Sequence, residues 1–314
     1  MFSTPINIPP SPVKIGYQHQ LMALGSCFAE NIGKKLSDAF FRVNINPFGV
    51  LYNPVSVAQS IKTLLSNDVF TDENVFEHQS LWHSFSHSSL FSGVTADECL
   101  KNINESLDNA RNFIKKAEFL LITLGTAWVY EEAQSGKVVA NCHKLPAQRF
   151  TRRRLTVDEI VRELSVVLSE LKMRNGALEV IFTVSPIRHW KDGAHENNVS
   201  KAALHLALEQ LKEQLSFIHY FPAYEIQLDE LRDYRFYASD MLHPSQTAVD
   251  YIWQRFSETY FDKETQELRK QLEQLRADLN HRPIHPQSAE YEQFLKNIEK
   301  RKTAIKMKFP FMDL

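Results

Sequence analysis

Short apolar runs that alternate with amphipathic segments constrain the fold of this chain more than any other feature of its sequence. Residues 21–24, 119–124 and 179–184 are largely apolar, and small residues follow each run. Runs of this length are typical of strands that a parallel sheet buries on both faces. Two shorter runs, at 41–44 and 217–220, bring the number of candidate strands to five. The alternation predicts an α/β protein with three α/β/α layers around a flavodoxin-like parallel sheet of four to five strands.

Helical periodicity fills the segments between these runs. Apolar residues recur there at three- and four-residue spacing, and Ser200 stands where a cap would begin the helix that precedes residue 217. Residues 128–140 differ, because they alternate around Gln-Ser-Gly-Lys and so predict a β-hairpin. The predicted helices cover residues 29–40, 55–65, 96–116, 156–172 and 200–214.

The composition changes after residue 260. Leucines at 268, 272, 275 and 279 stand among charged residues and predict an amphipathic helix over 263–280, and a second helix is predicted over 288–307. The 314 residues, 43% of them hydrophobic, suffice for one large core. We therefore expect an α/β domain over residues 1–260 and a helical extension over 261–314. The extension is expected to pack on that domain or on a second copy of the chain, which would make a homodimer.

The distribution of charge and the length of the apolar runs argue against nucleic acid and membranes as partners. The formal net charge is -2, and Lys and Arg are scattered except at 152–154, which we interpret as solvated surface; no nucleic-acid face is predicted. No apolar run approaches the roughly 20 residues that span a bilayer, and the N-terminus lacks the pattern of a secretion signal. The three cysteines have no metal-like spacing. We expect reduced thiols, a cytoplasmic location, no metal and no cofactor.

Ser26 follows the first predicted strand, at an elbow where a helix begins. A side chain at such an elbow lies at the carboxyl edge of the sheet, beside the N–H groups of a helix N-terminus. Far along the chain, Asp240 and His243 stand three residues apart. We predict Ser26 as a nucleophile, His243 as its general base and Asp240 as the carboxylate that orients the imidazole. Two alternatives stay open: Ser26 is a helix cap, or the adjacent Cys27 is the nucleophile.

Seven motifs, in the same order along the chain, resemble those of one known family. They are Gly-Ser-Cys-Phe-Ala at 25–29, the segments 46–54, 123–130, 141–146, 184–189 and 233–237, and Asp-Met-Leu-His at 240–243. Together they are similar to the GSCFA family, a branch of the SGNH/GDSL-type serine hydrolases, over roughly residues 20–260. The resemblance implies an SGNH-like fold, hydrolysis of ester bonds, and alignment of Ser26 with the nucleophile.

An attacked ester carbonyl needs N–H donors for its developing negative charge. The backbone N–H groups of Ser26 and Gly49 are the first candidates, since a helix N-terminus is positive and glycine permits close approach. Enzymes of the wider SGNH group place an Asn two residues after a glycine that here is Gly125, but this chain has Ala127 there. The hydroxyl of Thr126 and the side chains of Asn46 and Asn141 are alternative donors.

Several further residues are candidates for a substrate pocket. Arg188 and His189 follow a predicted strand, and Arg188 either clamps an anionic group of the substrate or forms an ion pair with Asp192 or Asp233. His143, in the inserted hairpin, has the same status as His189. The loop residues His83 and His87 are interpreted as pocket or packing residues, with a zinc site as the less favoured alternative.

These residues lead to one principal hypothesis and two rivals. The principal one is a serine hydrolase that cleaves a small acyl ester, acylated sugars included, through an acyl group on Ser26; transfer to an alcohol is a close variant. The first rival is a non-catalytic module that binds a carbohydrate or small acid. The second is a metal-dependent hydrolase that uses His83 and His87. The aromatic and histidine residues proposed to rim the binding module are Trp82, His83, His87, Trp128 and Trp190.

Overall fold

The computed structural model describes residues 4–312, in which strands and helices alternate along most of the chain. In chain order the strands are β1 (Gln20–Gly25), β2 (Arg42–Ile45), β3 (Phe76–His78), β4 (Leu81–His83), β5 (Phe119–Leu124), β6 (Trp128–Glu132), β7 (Val138–Val139), β8 (Phe150–Arg154), β9 (Glu179–Val184) and β10 (Ile218–Tyr220). The helices are α1 (Cys27–Asp38), α2 (Pro54–Leu65), α3 (Ala96–Ile114), α4 (Val157–Arg174), α5 (Gly193–Gln214), α6 (Ala223–Glu225), α7 (Gln246–Tyr260), α8 (Lys263–Leu279) and α9 (Ala289–Lys308).

The central sheet has five parallel strands in the order β10-β9-β5-β1-β2. Numbered within the sheet alone, this is the flavodoxin-like order 2-1-3-4-5, whose topological switch point lies between β1 and β5. The prediction of a three-layer α/β/α fold is confirmed. Ligands of such sheets bind beyond the carboxyl ends of the strands, at the switch point. The residues that follow β1 and β5 therefore lie where a ligand of such a sheet would bind.

Alternate residues of the central strands face opposite layers. Leu120 and Ile122 of β5 belong to a buried cluster with α2, α3, α4 and α5. Phe119 and Leu121 belong to a second cluster with α1, α7 and the C-terminal helices. Every residue of β5 is buried, which explains why this run was the clearest strand signal in the sequence.

The helices α8 and α9 pack on the α1–α7 side of the sheet. Leu268, Leu272 and Leu275 are buried in that cluster, whereas Leu279, the last leucine of the predicted seam, is 45% exposed. The extension thus packs on its own chain, which is one of the two arrangements expected from the sequence. The domain boundary at residue 260 and the homodimer stay predictions. No helix within residues 4–312 has both the length and the apolar content needed to cross a bilayer.

Two details differ from the sequence expectations. The three arginines lie in β8, a strand that the sequence did not predict, which pairs with β6 in a three-stranded antiparallel sheet; Arg152 and Arg154 are exposed on it, as expected for solvated surface. Its charges are compensated, since Arg153 pairs with Glu131 and Glu159, each at 2.7 Å. Helix α5 begins at Gly193, so Ser200 lies inside the helix and does not cap it. The Ser200 hydroxyl instead accepts the N–H of Ala127 at 2.8 Å, which explains a polar residue on the buried side of the helix.

Candidate active site

The carboxyl ends of β1, β5 and β9 open into one cavity of about 390 Å³. This volume lies in the range of small-molecule sites, and the position matches the switch point of the sheet. The side chains on its wall are Ser26, Cys27, Tyr52, Asn53, Thr126, Trp128, Tyr130, Val139, Ala140, Asn141, Cys142, Arg152, Ser185, Ile187, Arg188, His189, Lys191, Asp192 and His243.

A wider cleft of about 690 Å³ lies between α1, α7 and α8, away from these strand ends. Its charged side chains pair across it, as Lys35 does with Asp250 and Arg276 with Asp38. The residues that line it include no Ser, Cys or His. We therefore build the candidate site in the cavity at the strand ends.

Backbone geometry fixes the elbow between β1 and α1. Gly25 has a φ of 129°, and a Cβ there would lie 2.1 Å from the carbonyl oxygen of Thr123, so only glycine fits. Ser26 is the N-cap of α1, with an extended backbone and a hydroxyl that accepts the N–H of Phe28 at 3.4 Å. Ser26 is also only 1% exposed. The capping role, one of the alternatives for this residue, is thus the role that its hydrogen bonds show.

Asp240 and His243 form a rigid pair in the loop before α7. The Oδ2 atom of Asp240 lies 2.6 Å from Nδ1 of His243, and its Oδ1 atom accepts the backbone N–H groups of Leu242 and His243. Ser245, and not Asp240, caps α7. The backbone hydrogen bonds from His243 and Leu242, followed by the bond to the imidazole, lower the pKa of Asp240 to about 2, so the carboxylate stays ionised.

The imidazole of His243 is directed toward Cys27. Its Nε2 atom lies 4.0 Å from the Sγ atom of Cys27, and within residues 4–312 no hydrogen bond joins it to the hydroxyl of Ser26. Cys27 is the first residue of α1 and is partly exposed to the cavity. The structure thus brings the predicted base and carboxylate to the elbow, where the Cys27 thiol contacts the imidazole and the hydroxyl of Ser26 caps α1. That Ser26 reacts stays a prediction, which this geometry does not favour.

Burial raises the pKa of the Cys27 thiol. The positive end of α1 acts in the opposite direction, but the loss of solvent is the larger effect. At neutral pH the resting site therefore holds a neutral thiol beside His243. Such a thiol must lose its proton to a base during attack, which is the arrangement of general-base catalysis.

The expected donors for an oxyanion are mostly engaged. The N–H of Ser26 donates to the carbonyl of Thr123 at 3.0 Å, and the N–H of Gly49 donates to the carbonyl of Asn46 at 2.7 Å. Both predictions therefore need correction, because the β1–β5 pairing extends to Ser26 and the loop after β2 forms a turn that closes on Asn46. The hydroxyl of Thr126 is also engaged, since it lies 3.0 Å from Ser200 Oγ and accepts the N–H of Trp128.

Two polar groups of the cavity wall remain as donors. The backbone N–H of Cys27, at the first position of α1, has no acceptor among residues 4–312. The side chain of Asn141 accepts the N–H of His143 with its oxygen, which leaves its NH₂ group uncommitted within the same residues. Asn46 also has a buried NH₂ group without a partner among the described residues, since its oxygen accepts the N–H of Gly25 at 2.9 Å, but its side chain does not line the cavity.

His189 adds a neutral imidazole to the cavity. Burial, followed by the nearby charge of Lys201, lowers the pKa of His189 to about 4. The ring packs edge-on against Tyr52, and a Cβ at Gly125 would lie 3.3 Å from its Nε2 atom. Gly125 itself lies behind the wall, with its N–H bonded to the carbonyl of Tyr52. A neutral imidazole donates one N–H, so His189 is a further candidate donor.

Lys201 lies buried behind the cavity and was missed in the sequence. Its ammonium donates to the carbonyl oxygens of Gly125 at 2.7 Å and Ser185 at 2.6 Å, and so joins the ends of β5 and β9. Burial lowers the pKa of Lys201 to about 7. A signal existed, because Lys201 extends the apolar stripe of Leu204, Leu208 and Leu211 at helical spacing.

Three histidines predicted near the pocket do not line it. His83, His87 and His143 are buried in an aromatic cluster beside it, where the rings of His83 and His143 stack 4.5 Å apart. Both ring nitrogens of His83 are hydrogen-bonded, to Ser92 and to the His78 carbonyl. Burial lowers the pKa of His87 to about 3. These residues support the hairpin and loop around the cavity and are not part of its wall.

Comparisons with known proteins give a family and three similar structures. The model of the GSCFA family matches residues 20–256, and that of the GSCFA domain protein, C-terminal domain, matches residues 272–314. No curated protein sequence matches the chain.

Three of the similar structures are esterases by their titles. A family 3 carbohydrate esterase of Clostridium thermocellum is 13% identical, with 80% of this chain and 98% of that chain covered and a TM-score of 0.34. The acetyl xylan esterase Est2A of the rumen bacterium Butyrivibrio proteoclasticus is 11% identical, with 85% and 66% covered and a TM-score of 0.39. A carbohydrate esterase family 3 protein of Talaromyces cellulolyticus is 13% identical, with 81% and 99% covered and a TM-score of 0.34.

Proposed function

The chain belongs to the GSCFA family, and from the geometry of its cavity we propose that it hydrolyses a small acyl ester with the Cys27 thiol as nucleophile. The observation that carries the proposal is the chain of contacts from Asp240 through His243 to Cys27, with distances of 2.6 Å and 4.0 Å. These three groups have the order of a carboxylate, a base and a nucleophile. Hydrogen bonds in free enzymes are often longer than in the substrate complex, so 4.0 Å is compatible with proton transfer after closure on the substrate.

The reaction proceeds in two acyl transfers. His243 Nε2 takes the proton of the Cys27 thiol while sulfur bonds to the ester carbonyl carbon, and the carbonyl oxygen becomes an oxyanion. When the carbonyl re-forms, the bond to the alcohol breaks and His243 returns the proton to the leaving oxygen. Water then attacks the thioester, again with His243 as base, and the thiol is restored.

Asp240 has a positioning role in both steps. The ionised carboxylate of Asp240 accepts a hydrogen bond from the N–H at Nδ1 of His243. The second ring nitrogen, Nε2, therefore carries no proton, stays basic and faces the thiol. The oxyanion is stabilised by the N–H of Cys27, at the positive end of α1, and by Asn141 or His189. An alcohol in place of water in the second step would make the protein an acyltransferase.

Three variants distinguish the possible nucleophiles. Initial rates on p-nitrophenyl acetate, acetylated sugars and acyl thioesters are measured for the wild type and for Cys27→Ala, Ser26→Ala and Cys142→Ala, the last removing the other thiol on the cavity wall. We expect Cys27→Ala to abolish turnover, whereas Cys142→Ala should retain turnover and the labelling of Cys27 by iodoacetamide. We expect Ser26→Ala to keep both and to lose about 1 kcal/mol of stability with its helix cap.

Other outcomes have defined meanings. A fluorophosphonate label that is lost in Ser26→Ala and kept in Cys27→Ala would replace the thiol mechanism by the serine mechanism predicted from the sequence. If folded wild-type protein hydrolyses none of these substrates and binds acetylated sugars equally well in all variants, the cavity is a binding site and the enzymatic proposal is wrong.

A further inference from the structure

Arg188 places a guanidinium without a counter-ion on the cavity wall. Its Nη2 atom donates to the amide oxygen of Asn198 at 3.1 Å, while its Nε atom is buried and has no acceptor. The guanidinium carbon lies 5.5 Å from the centre of the Trp190 ring. Within residues 4–312 the side chain forms no ion pair, so the internal pair that we considered from the sequence is not formed.

The carboxylates that could have neutralised Arg188 are engaged elsewhere. Asp192 pairs with Arg152, and Asp233 pairs with an arginine two residues farther along the chain. Among the described residues of the cavity wall, Asp192 is the only carboxylate. Lys191 is a further cation on the same wall, and no ion pair joins it to another described residue. The cavity therefore has an excess of positive charge near Arg188.

This excess of charge calls for a ligand of opposite sign. A guanidinium remains protonated in proteins, and a partly buried one without an anion is unfavourable. Its fork of N–H donors matches the oxygens of a carboxylate or phosphate in bidentate geometry. The geometry points to a substrate whose acyl or alcohol part carries such an oxyanion, which Arg188 binds while the ester lies at Cys27 and His243. This inference rests on the proposed function for the position of the ester.

Matched esters test the inference by kinetics. The half-ester p-nitrophenyl glutarate is compared with p-nitrophenyl pentanoate for an anionic acyl part. For an anionic alcohol part, p-acetoxybenzoate and p-acetoxyphenyl phosphate are compared with phenyl acetate, and these arms also separate carboxylate from phosphate. The wild type is expected to favour at least one anionic ester in kcat/KM, by about 10- to 100-fold, the range for hydrogen bonds to charged groups.

Variants of Arg188 identify the group responsible. Arg188→Gln should remove the preference, whereas Arg188→Lys, which keeps the charge but loses the fork, should retain part of it. The control is Arg154→Gln, because Arg154 lies outside the cavity wall and pairs with Glu196. Equal preference in the wild type and a folded Arg188→Gln protein would overturn the inference, as would a preference for the neutral ester in every pair.

A binding measurement separates this inference from the reaction mechanism. Titration calorimetry with glutarate, inorganic phosphate and the uncharged dimethyl glutarate is carried out on the Cys27→Ala protein, which lacks the thiol. Binding of an anion that is lost in Cys27→Ala/Arg188→Gln supports the site even if no ester is hydrolysed. Turnover of neutral esters without any anion binding would leave the hydrolase proposal intact and refute the anionic subsite.

Discussion

Replacement of Asp240 by Asn tests whether this carboxylate sets the tautomer of His243. The Oδ1 atom of Asp240 accepts two backbone N–H groups, and an Asn side chain keeps an oxygen for them, so the turn is retained. The second carboxylate oxygen becomes an NH₂ group, which donates and so forces Nδ1 of His243 to act as an acceptor. The imidazole proton then moves to Nε2, the atom that faces Cys27.

This exchange of tautomers removes the base without removing the ring. The corresponding change in a serine-protease triad lowers turnover by about 10⁴-fold, and we expect a decrease of about 10³- to 10⁴-fold in kcat on p-nitrophenyl acetate. Alkylation of Cys27 by iodoacetamide, followed by mass spectrometry, should slow as well, because the same nitrogen accepts the thiol proton. Both measurements use protein whose circular dichroism and melting temperature match the wild type.

The control is Asp233→Asn, in the same loop. Asp233 accepts the N–H of Arg235 at 3.0 Å and does not touch His243, so this variant should retain wild-type turnover. The reasoning would be refuted by an Asp240→Asn enzyme whose kcat is within tenfold of the wild type. Since the pKa of Asp240 is about 2, any loss of activity in mildly acidic buffer must come from another group.

Further predictions concern stability and thiol reactivity. Gly25→Ala should lower the free energy of unfolding by about 3 kcal/mol or more, measured in urea, because its Cβ would meet the carbonyl of Thr123 at 2.1 Å. Leu272→Ala should lower it by about 2–5 kcal/mol, since this fully buried side chain anchors α8. Between pH 7 and 9 the unfolded chain binds a proton at Lys201 that the folded protein has largely released. The wild type should therefore gain about 2 kcal/mol relative to Lys201→Met as the pH rises, again measured in urea. The rate of Cys27 alkylation should still increase with pH at and above 8.5, the pKa of a free thiol, because burial raises the pKa of Cys27. A rate that levels off near neutral pH would contradict this expectation.

The central sheet could be predicted because its strands are buried on both faces. A continuous apolar run such as β5 has no competing interpretation once amphipathic helices flank it. Helix α5 was predicted too short, because the residues of its first turns are polar although the structure buries some of them. Its first turns carry Asn197, which lies outside the predicted helix, and Ser200, which was predicted as its cap; both bond instead to the backbone of other segments, at His189 and Ala127. Buried polar residues that satisfy another segment's backbone have no local signature.

The same limit explains the errors at the candidate site. Asp240 and His243 lie together because they stand three positions apart in one turn, and this spacing is visible in the sequence. The engagement of the Ser26 and Gly49 N–H groups depends on carbonyl oxygens of Thr123 and Asn46, which only the folded backbone brings near. Predictions of free backbone donors therefore failed, because they depend on hydrogen bonds between segments that the sequence does not show, while the roles of the site side chains stay predictions.

The elbow shows why two adjacent residues with reactive side chains have different roles. An N-cap residue has extended dihedrals, here a φ of −68° and a ψ of 172° for Ser26, so its side chain turns back to the N–H groups of the first helical turn. The next residue already has helical geometry, and its side chain projects from the start of the helix into the cavity. A hydroxyl is well suited to the first position because it caps the helix, and a thiol is a weak capping group. The proposal of Cys27 as nucleophile agrees with this division, because the hydroxyl of Ser26 accepts the N–H of Phe28 while the thiol lies 4.0 Å from Nε2 of His243.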